Sequence, residues 1–438
     1  MVQNNYLRIK TISRQGGMPE RNEAFMKQIK LGLIGAGERG ANCYAPYALK
    51  FPSEVKFVCV AEPLADRRNT FGKMHRIADE DRYEDWKDMI GKGYELDGVI
   101  IATQDRQHYE PAMAAIQAGL NVLLEKPMAE TAEKTKAIVE AAKERGVLLM
   151  VCHVLRHTPF FQSVKETLDS GVIGEVKSIH HIENIGYWHF AHSYVRGNWR
   201  NTEETTPMIV AKCSHDTDIF NFLLGGKKCE RISSFGSLSY FTRANMPEHA
   251  TKNCMDGCPH NKTCLYSAYN YLDDREMRQN FRDIVMRTDD REAFLTHLKE
   301  SPYSRCVYQC DNDAADHQVV SMVYEDGVTV SWQASAFTMD IKRQTKIMGT
   351  KGELEGSIDE DQYVVRDFAT GNETTIKIHT PRTLHSGGDE CIMRNFTQAL
   401  LNPDEESRRF GAELSLQGHV MAFAAEYSRK HDGEVVVL

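Results

Sequence analysis

Short apolar runs alternate with amphipathic stretches along the first third of the chain. The strand-sized runs are Ile29–Ile34, Val55–Ala61, Gly98–Thr103, Asn121–Leu124 and Val147–His153. Apolar residues recur at helical spacing between them, in Tyr109–Ala118 and Thr131–Glu144. Strands that alternate with helices in this way predict a parallel, doubly wound sheet.

Beyond His153 several strand-like segments alternate polar and apolar residues, which favours a sheet with one exposed face. We predict strands at Val176–Ile182, Ile232–Leu238, Val319–Tyr324, Val328–Phe337, Thr345–Met348 and Val364–Arg366. We predict helices at Phe160–Ser170, Gly388–Leu400 and Gly411–Tyr427. The expected fold class is α/β, with a C-terminal α+β domain built on an open, mostly antiparallel sheet.

Length and charge limit the classes of function. The 438 residues exceed one ordinary core and suit two domains. The net charge of -9 argues against a nucleic-acid partner, because phosphate binding needs a basic face. No apolar run has the length of a membrane span, and the first 25 residues lack a signal-peptide core. Together with the odd number of cysteines, these features lead us to expect a cytoplasmic protein.

A glycine-rich turn follows the first apolar run. Gly35-Ala36-Gly37-Glu38-Arg39-Gly40 matches G-x-G-x-x-G, in which glycines allow a tight turn and a close backbone approach to pyrophosphate. Glu62 ends the second run, where an acid can bond the ribose 2′-hydroxyl and repel the extra phosphate of NADP. The turn therefore predicts a Rossmann domain that binds NAD, with Glu38 and Arg39 beside the cofactor.

Glu125-Lys126-Pro127 ends the fourth run. Together with the glycine turn and Glu62, it resembles the signature of the Gfo/Idh/MocA oxidoreductase family. The resemblance extends to Thr103 and His108, and it implies that these two residues, Glu125 and Lys126 contact the cofactor. It also extends to the pair His215 and Asp218 at the start of a helix. It implies a Rossmann domain followed by an open sheet, and oxidation or reduction of a sugar or cyclitol hydroxyl with NAD(P). Some members use the same chemistry to cleave glycosides without net redox change.

The expected domains are a tail (1–27), an NAD-binding domain (28–153), and a substrate and oligomerisation domain (154–438). A long, charged, cysteine-bearing insertion is expected near residues 246–310. We also expect a homo-oligomer, since an open sheet commonly pairs with another copy.

Lys126 lies at the carboxyl end of a strand, where an ammonium can stabilise developing alkoxide charge. The family usually carries Asp four residues before the histidine, but this chain has Ala211 there, followed by Lys212. We therefore expect Lys126, Lys212 and His215 to be catalytic. Three residues apart on a helix, Lys212 and His215 would share one face, and the lysine would keep the histidine a free base.

Candidate substrate contacts are rich in aromatic rings and charged groups. Aromatic faces suit the C–H faces of sugars, and arginines suit a hydroxyl or an acidic substituent. Every candidate also has a structural alternative, such as a core aromatic, an interface loop or a helix cap. The candidates are His153, Arg156, Tyr187, Tyr194, Arg196, Trp199, Arg200, Asp216, His385 and Asp389.

Five cysteines crowd into and beside the insertion. Thiolates close in sequence, joined by one from farther along, predict a structural zinc site at Cys254, Cys258, Cys264 and Cys306. Cys310 or His260 is the alternative fourth ligand, and unliganded thiols are the alternative to any metal.

Three functions remain open from the sequence. The first is a sugar or cyclitol dehydrogenase. The second is an NAD-dependent glycosidase that oxidises, eliminates, hydrates and re-reduces its substrate. The third is a non-catalytic NAD or redox sensor, which an intact Lys126 and His215 disfavour.

Overall fold

The structure, a computed structural model, describes residues 27–272, 276–381, 384–402 and 405–438. Apart from Lys27, the expected N-terminal tail lies outside the described residues.

The first sheet is wholly parallel, with the strand order β3-β2-β1-β4-β5-β6. Its strands are β1 (Ile29–Ile34), β2 (Val55–Ala61), β3 (Arg82–Tyr83), β4 (Gly98–Ile101), β5 (Asn121–Leu124) and β6 (Leu149–Val151). The helices of this part are α1 (Pro46–Lys50), α2 (Ala65–Met74), α3 (Trp86–Gly91), α4 (Tyr109–Gln117) and α5 (Ala132–Arg145). The glycine turn follows β1 at the centre of the sheet, where strand order reverses and ligands of such folds bind.

The second sheet is mixed, with the order β14-β13-β12-β11-β7-β10-β9-β8-β15. Its strands are β7 (Val176–Asn184), β8 (Cys229–Ser237), β9 (His317–Tyr324), β10 (Thr329–Ser335), β11 (Lys342–Gly349), β12 (Gly352–Ser357), β13 (Gln362–Asp367), β14 (Glu373–Lys377) and β15 (Val436–Val437). Among the described strands of this sheet, only β7 and β10 pair in parallel. In β9 and β10 buried and exposed residues alternate, as expected for a sheet covered on one face.

The helices that share a hydrophobic core with this sheet are α6 (Pro159–Asp169), α7 (Tyr187–Phe190), α8 (Met208–Ala211), α9 (Ser214–Leu223) and α13 (Glu405–Lys430). The other helices are α10 (Glu276–Val285) and α11 (Arg291–Glu300) in the insertion, and α12 (Gly388–Leu401). Helix α12 returns to the first sheet, where Ile392, Met393 and Phe396 share a core with Leu31 and Leu33. The C-terminal helices therefore join the two parts of the chain.

The parallel and the mostly antiparallel sheet confirm the expected fold class. No helix within the described ranges combines the length and the apolar character that crossing a membrane requires.

Candidate active site

The glycine turn leaves room for a ligand only at its middle glycine. A Cβ on Gly35, whose φ is 92°, would lie 2.6 Å from the carbonyl oxygen of Ala102, and one on Gly40 would lie 2.2 Å from the oxygen of Gly35. A Cβ on Gly37 would meet only the tip of Arg67, at 3.8 Å. Backbone crowds the outer glycines while the middle one faces open space, which fits a pyrophosphate above Gly37.

Glu62 lies against this turn. Its Oε2 accepts a hydrogen bond from the Ala36 amide at 2.9 Å, and its Oε1 accepts one from the Leu64 amide at 3.0 Å. The carboxylate is thus fixed at the end of β2 beside the predicted ribose position. Glu38, by contrast, is exposed and pairs with Arg287 from the insertion.

Arg39 joins the glycine turn to the C-terminal part of the chain. It donates to Glu125 Oε1 at 2.6 Å and to Asp389 Oδ1 at 2.8 Å. Asp389 in turn lies 3.2 Å from His385 Nδ1. Burial would raise the pKa of Asp389, but His385 and Arg39 bring it down to about 2. Arg39, Glu125 and Asp389 therefore form an ionised network that holds His385.

His108 fixes the backbone around Lys126. Its two ring nitrogens lie 2.7 Å from the oxygen of Pro127 and 3.1 Å from the oxygen of Thr103. The hydroxyl of Thr103 donates to the carbonyl of Gln107. These contacts tie the end of β4 to the residue that follows Lys126.

Lys126 reaches from the first sheet to the second part of the chain. Its Nζ donates to the carbonyl oxygen of Ala211 at 2.6 Å. Burial lowers the pKa of Lys126, although the adjacent Glu125 opposes this shift. The chain has Ala211 at the position where related sequences carry an aspartate. The backbone carbonyl of Ala211 therefore accepts the hydrogen bond of the Lys126 ammonium in place of an aspartate side chain.

Lys212 and His215 do not share one helix. Lys212 caps the end of α8, whereas His215 lies in the first turn of α9. The expectation of a common helical face was wrong because the chain bends at Lys212 and Cys213 between two helices. Lys212 Nζ instead lies 3.3 Å from Glu183 Oε1 on β7.

His215 is almost enclosed, with 5% of its surface exposed, and its Nδ1 has no hydrogen-bond partner. Burial, and next the charge of Lys126, hold the pKa of His215 well below its usual value. The His385 ring lies 6.0 Å away, centroid to centroid. His215 is therefore a neutral imidazole, able to accept a proton, between groups from both parts of the chain.

A buried ion network lies behind Lys212, and the sequence analysis missed most of it. Arg343 on β11 contacts Glu183 at 2.9 Å and Asp216 at 2.7 Å, and His181 Nε2 lies 3.0 Å from Asp216. Burial alone would raise the pKa of Asp216, but Arg343 and His181 hold it well below its usual value. Asp216 is fully enclosed by these partners, so its expected substrate contact is not supported.

Several expected substrate contacts have structural partners instead. Arg196 donates to the carbonyl oxygens of Arg305 and Tyr266. Arg200 pairs with Asp311 and Glu204 near the surface.

The aromatic side chains of this segment pack inside the protein. The indole N–H of Trp199 donates to the buried Asp105, which Thr205 and Thr206 also bind. Tyr194 is buried, and Tyr187 packs edge-on against Tyr266. The segment is mainly core beneath the insertion, which is the structural alternative given for it above.

His153 is buried beside His215, and Arg156 is buried against Asp218. His153 has no exposed surface, and Arg156 Nη2 contacts Asp218 Oδ1 at 2.7 Å and Ser415 Oγ at 2.6 Å. Direct contact of His153 with a substrate is therefore not supported.

The predicted zinc site is not supported either. Among the residues that the structure describes, no group of three or more His, Cys, Asp and Glu side chains could hold a metal. Arg196 shares a cavity of about 20 Å³ with Cys254, Cys258, Cys264 and Cys306, and its Nη2 lies 3.7 Å from the sulfur of Cys254. A guanidinium is permanently charged, so it opposes a second cation at that place.

Apolar packing stabilises the insertion. Tyr271, Phe281, Phe294 and Leu298 form a small core with Trp188. The sequence did not reveal this core, because its members are widely spaced along a charged segment.

Comparison with known proteins agrees with this architecture. The model of an oxidoreductase family with an NAD-binding Rossmann fold, GFO_IDH_MocA, matches residues 29–153. The model of that family's C-terminal alpha/beta domain matches residues 165–409.

Individual relatives share only a minority of identical residues with this chain. YteT of Bacillus subtilis (strain 168) is 24% identical over 327 residues, which cover 71% of this chain and 74% of YteT. Levoglucosan dehydrogenase of Pseudarthrobacter phenanthrenivorans is 32% identical over 163 residues, 35% of this chain and 40% of that protein. A crystal structure of an inositol dehydrogenase homolog from Azotobacter vinelandii, complexed with NAD+, has a TM-score of 0.68 at 15% identity and covers 94% of this chain and 98% of that one.

The two family models together span most of the chain. The first sheet, all strands of the second sheet except β15, the glycine turn and Lys126 lie in the matched ranges. The chain therefore belongs to the Gfo/Idh/MocA family of NAD-binding oxidoreductases.

Proposed function

We propose that this protein transfers hydride between a hydroxyl of a sugar or cyclitol and NAD. The observation that carries the proposal is the meeting of Lys126, from the end of β5, with the segment of Ala211 and His215 from the other domain. Relatives named levoglucosan dehydrogenase and inositol dehydrogenase homolog support the substrate class.

The residues around the glycine turn fit NAD. The open space above Gly37 accommodates a pyrophosphate, and the Glu62 carboxylate fits a ribose 2′-hydroxyl and repels a phosphate there. When bound, NAD supplies the nicotinamide that exchanges hydride with the substrate carbon.

Lys126 and His215 have different roles in the reaction. His215 has a lowered pKa, so it is an unprotonated base at neutral pH and takes the hydroxyl proton. Lys126 donates a hydrogen bond to the same oxygen as negative charge develops on it. Lys212, held by Glu183, is the third polar group and orients a neighbouring hydroxyl or an acidic substituent.

A redox-neutral glycosidase is the second candidate. Lys212 and Glu183 add an acid–base pair that simple hydride transfer does not need, and such a pair could serve elimination at the neighbouring carbon.

The expected homo-oligomer also stays a prediction, which light scattering on the purified protein would measure.

One experiment separates these functions. The purified protein with excess NAD is mixed with a panel of free sugars, cyclitols and aryl glycosides, while NADH absorbance and aglycone release are recorded together. Lasting NADH in proportion to substrate consumed supports the dehydrogenase. Aglycone release without lasting NADH supports the glycosidase. If neither signal appears for any compound of the panel although NAD is bound, the result contradicts both proposed functions.

A further inference from the structure

His153 is a fully buried histidine without hydrogen-bond partners at either ring nitrogen. Enclosing an imidazole in this way costs free energy, so its position calls for a reason. Its ring stands edge-on to His215, with centroids 5.7 Å apart, and its Nε2 lies 4.0 Å from Asp218 Oδ1. His153 therefore lies against two ionisable groups of α9 at once.

The third neighbouring imidazole, His419, is not an alternative partner. The Met128 amide donates to His419 Nε2 at 3.0 Å, so Nδ1 carries the proton and donates to the oxygen of Ser415 at 2.7 Å. Both nitrogens of His419 are thus occupied, although its ring packs 5.1 Å from His153. Only His215 and Asp218 remain as proton partners for His153 among these neighbours.

Asp218 is suited to receive a proton. His215 and Asp218 are three residues apart on α9, so both side chains project from one face of the helix towards His153. Burial raises the pKa of Asp218 to about 7, even though Arg156 lies 2.7 Å away and opposes the shift. A carboxyl group with that pKa exchanges a proton readily near neutral pH.

We propose that His153 relays the substrate proton from His215 to Asp218, which makes His153 a positioning residue and Asp218 the terminal proton acceptor. This inference rests on the proposed function. The hydroxyl O–H bond breaks as a bond to His215 Nε2 forms, and the proton on His215 Nδ1 passes to His153. The opposite nitrogen of His153 then donates its proton to the ionised carboxylate of Asp218, and bound NAD would accept the hydride from the carbon that carries the hydroxyl.

The surroundings keep His153 uncharged between proton transfers. Other titratable groups also act on His153, and they disfavour a lasting charge there. They are Lys126, Arg156, His157 and His419. Arg156 and His157 also line a cavity of about 590 Å³ beside α12.

The test compares His153→Gln, His153→Ala and Asp218→Asn with a matched control, His75→Gln. His75 is a half-buried histidine that packs on Phe57 and Phe71 in the first domain, and its Nε2 also has no partner. Each protein is checked for NAD affinity and thermal stability, and its single-turnover rate is measured as a function of pH and imidazole concentration.

The relay predicts a loss of about tenfold to hundredfold in kcat for both His153 variants and for Asp218→Asn, with KM and NAD affinity nearly unchanged. Imidazole should restore part of the rate of His153→Ala, because it fills the space that the side chain leaves. The double variant of His153 and Asp218 should lose no more than either single variant. Asp218→Asn keeps the size of the side chain and serves as the test if the His153 variants fail to fold.

A normal kcat in His153→Gln would overturn the relay. So would a loss that is additive in the double variant and insensitive to imidazole, since that marks a structural role. A ¹⁵N NMR spectrum of the histidine side chains, recorded on the NAD-bound protein without sugar, provides a readout that does not depend on turnover. If the ¹⁵N resonance of His215 Nδ1 shifts in Asp218→Asn while no substrate is oxidised, the result supports the relay and contradicts the proposed activity. If His215 Nδ1 does not respond, the relay fails.

Discussion

Replacing Lys126 with methionine would test the central contact of the site. The methionine keeps the length of the side chain but removes the ammonium that donates to Ala211. Loss of a positioned donor and its charge typically lowers kcat by about 10²–10⁴, which corresponds to about 3–5 kcal/mol in the barrier. We expect a loss in this range, with NAD affinity unchanged, since the lysine lies beyond the glycine turn.

The same substitution should change the free energy of unfolding only slightly. The carbonyl of Ala211 loses its donor, which costs about 1–3 kcal/mol for a buried acceptor. Removing a buried ammonium offsets part of this cost, because its desolvation penalty disappears as well. The expected change in the free energy of unfolding is therefore small beside the change in the barrier.

The assay is NADH absorbance in a single turnover, with NAD affinity and urea unfolding measured on the same preparation. Lys134→Met is the matched control, because Lys134 pairs with Glu130 on the exposed side of α5. A Lys126→Met enzyme that keeps its kcat within about threefold of the parent would refute the assignment, since so small a change is under 1 kcal/mol.

Three further predictions concern the cofactor turn and the buried acid. Glu62→Ala should narrow the preference for NAD over NADP, and an unchanged ratio of kcat/KM values would show that the carboxylate does not meet the ribose. Gly35→Ala should abolish NAD binding, because its Cβ would lie 2.6 Å from the Ala102 oxygen; isothermal titration checks this. Asp218 has a folded pKa of about 7, above the unfolded value of about 3.9, so its contribution to stability falls as pH rises between them, by at most about 4 kcal/mol. Asp218→Asn should remove that part of the pH dependence, as urea unfolding at several pH values would show; an unchanged slope would contradict the raised pKa.

The sequence predicted features that depend on local pattern. Strands β1, β2 and β5 begin and end where their apolar runs do, because a strand buried on both faces shows continuous apolar sequence. Helix α12 was also predicted to within one residue at its end. The glycine turn, Glu62 and Lys126 were found because phosphate-binding backbone restricts residue type at fixed spacing. Strands β12 and β14 were missed because their sequences are mostly polar, although β12 is largely buried in the structure.

Only the tertiary structure decided which charged groups meet. Arg343, Glu183 and Asp216 are far apart along the chain, and no local spacing shows that they share one buried network. Arg196 could equally bind a substrate or pack inside the protein until its carbonyl partners were known. The reason is physical: local propensity acts over a few residues, whereas burial and charge pairing depend on which distant segments the fold brings together. For the same reason the sequence found His153 but could not assign its role, which depends on His215 and Asp218 lying beside it.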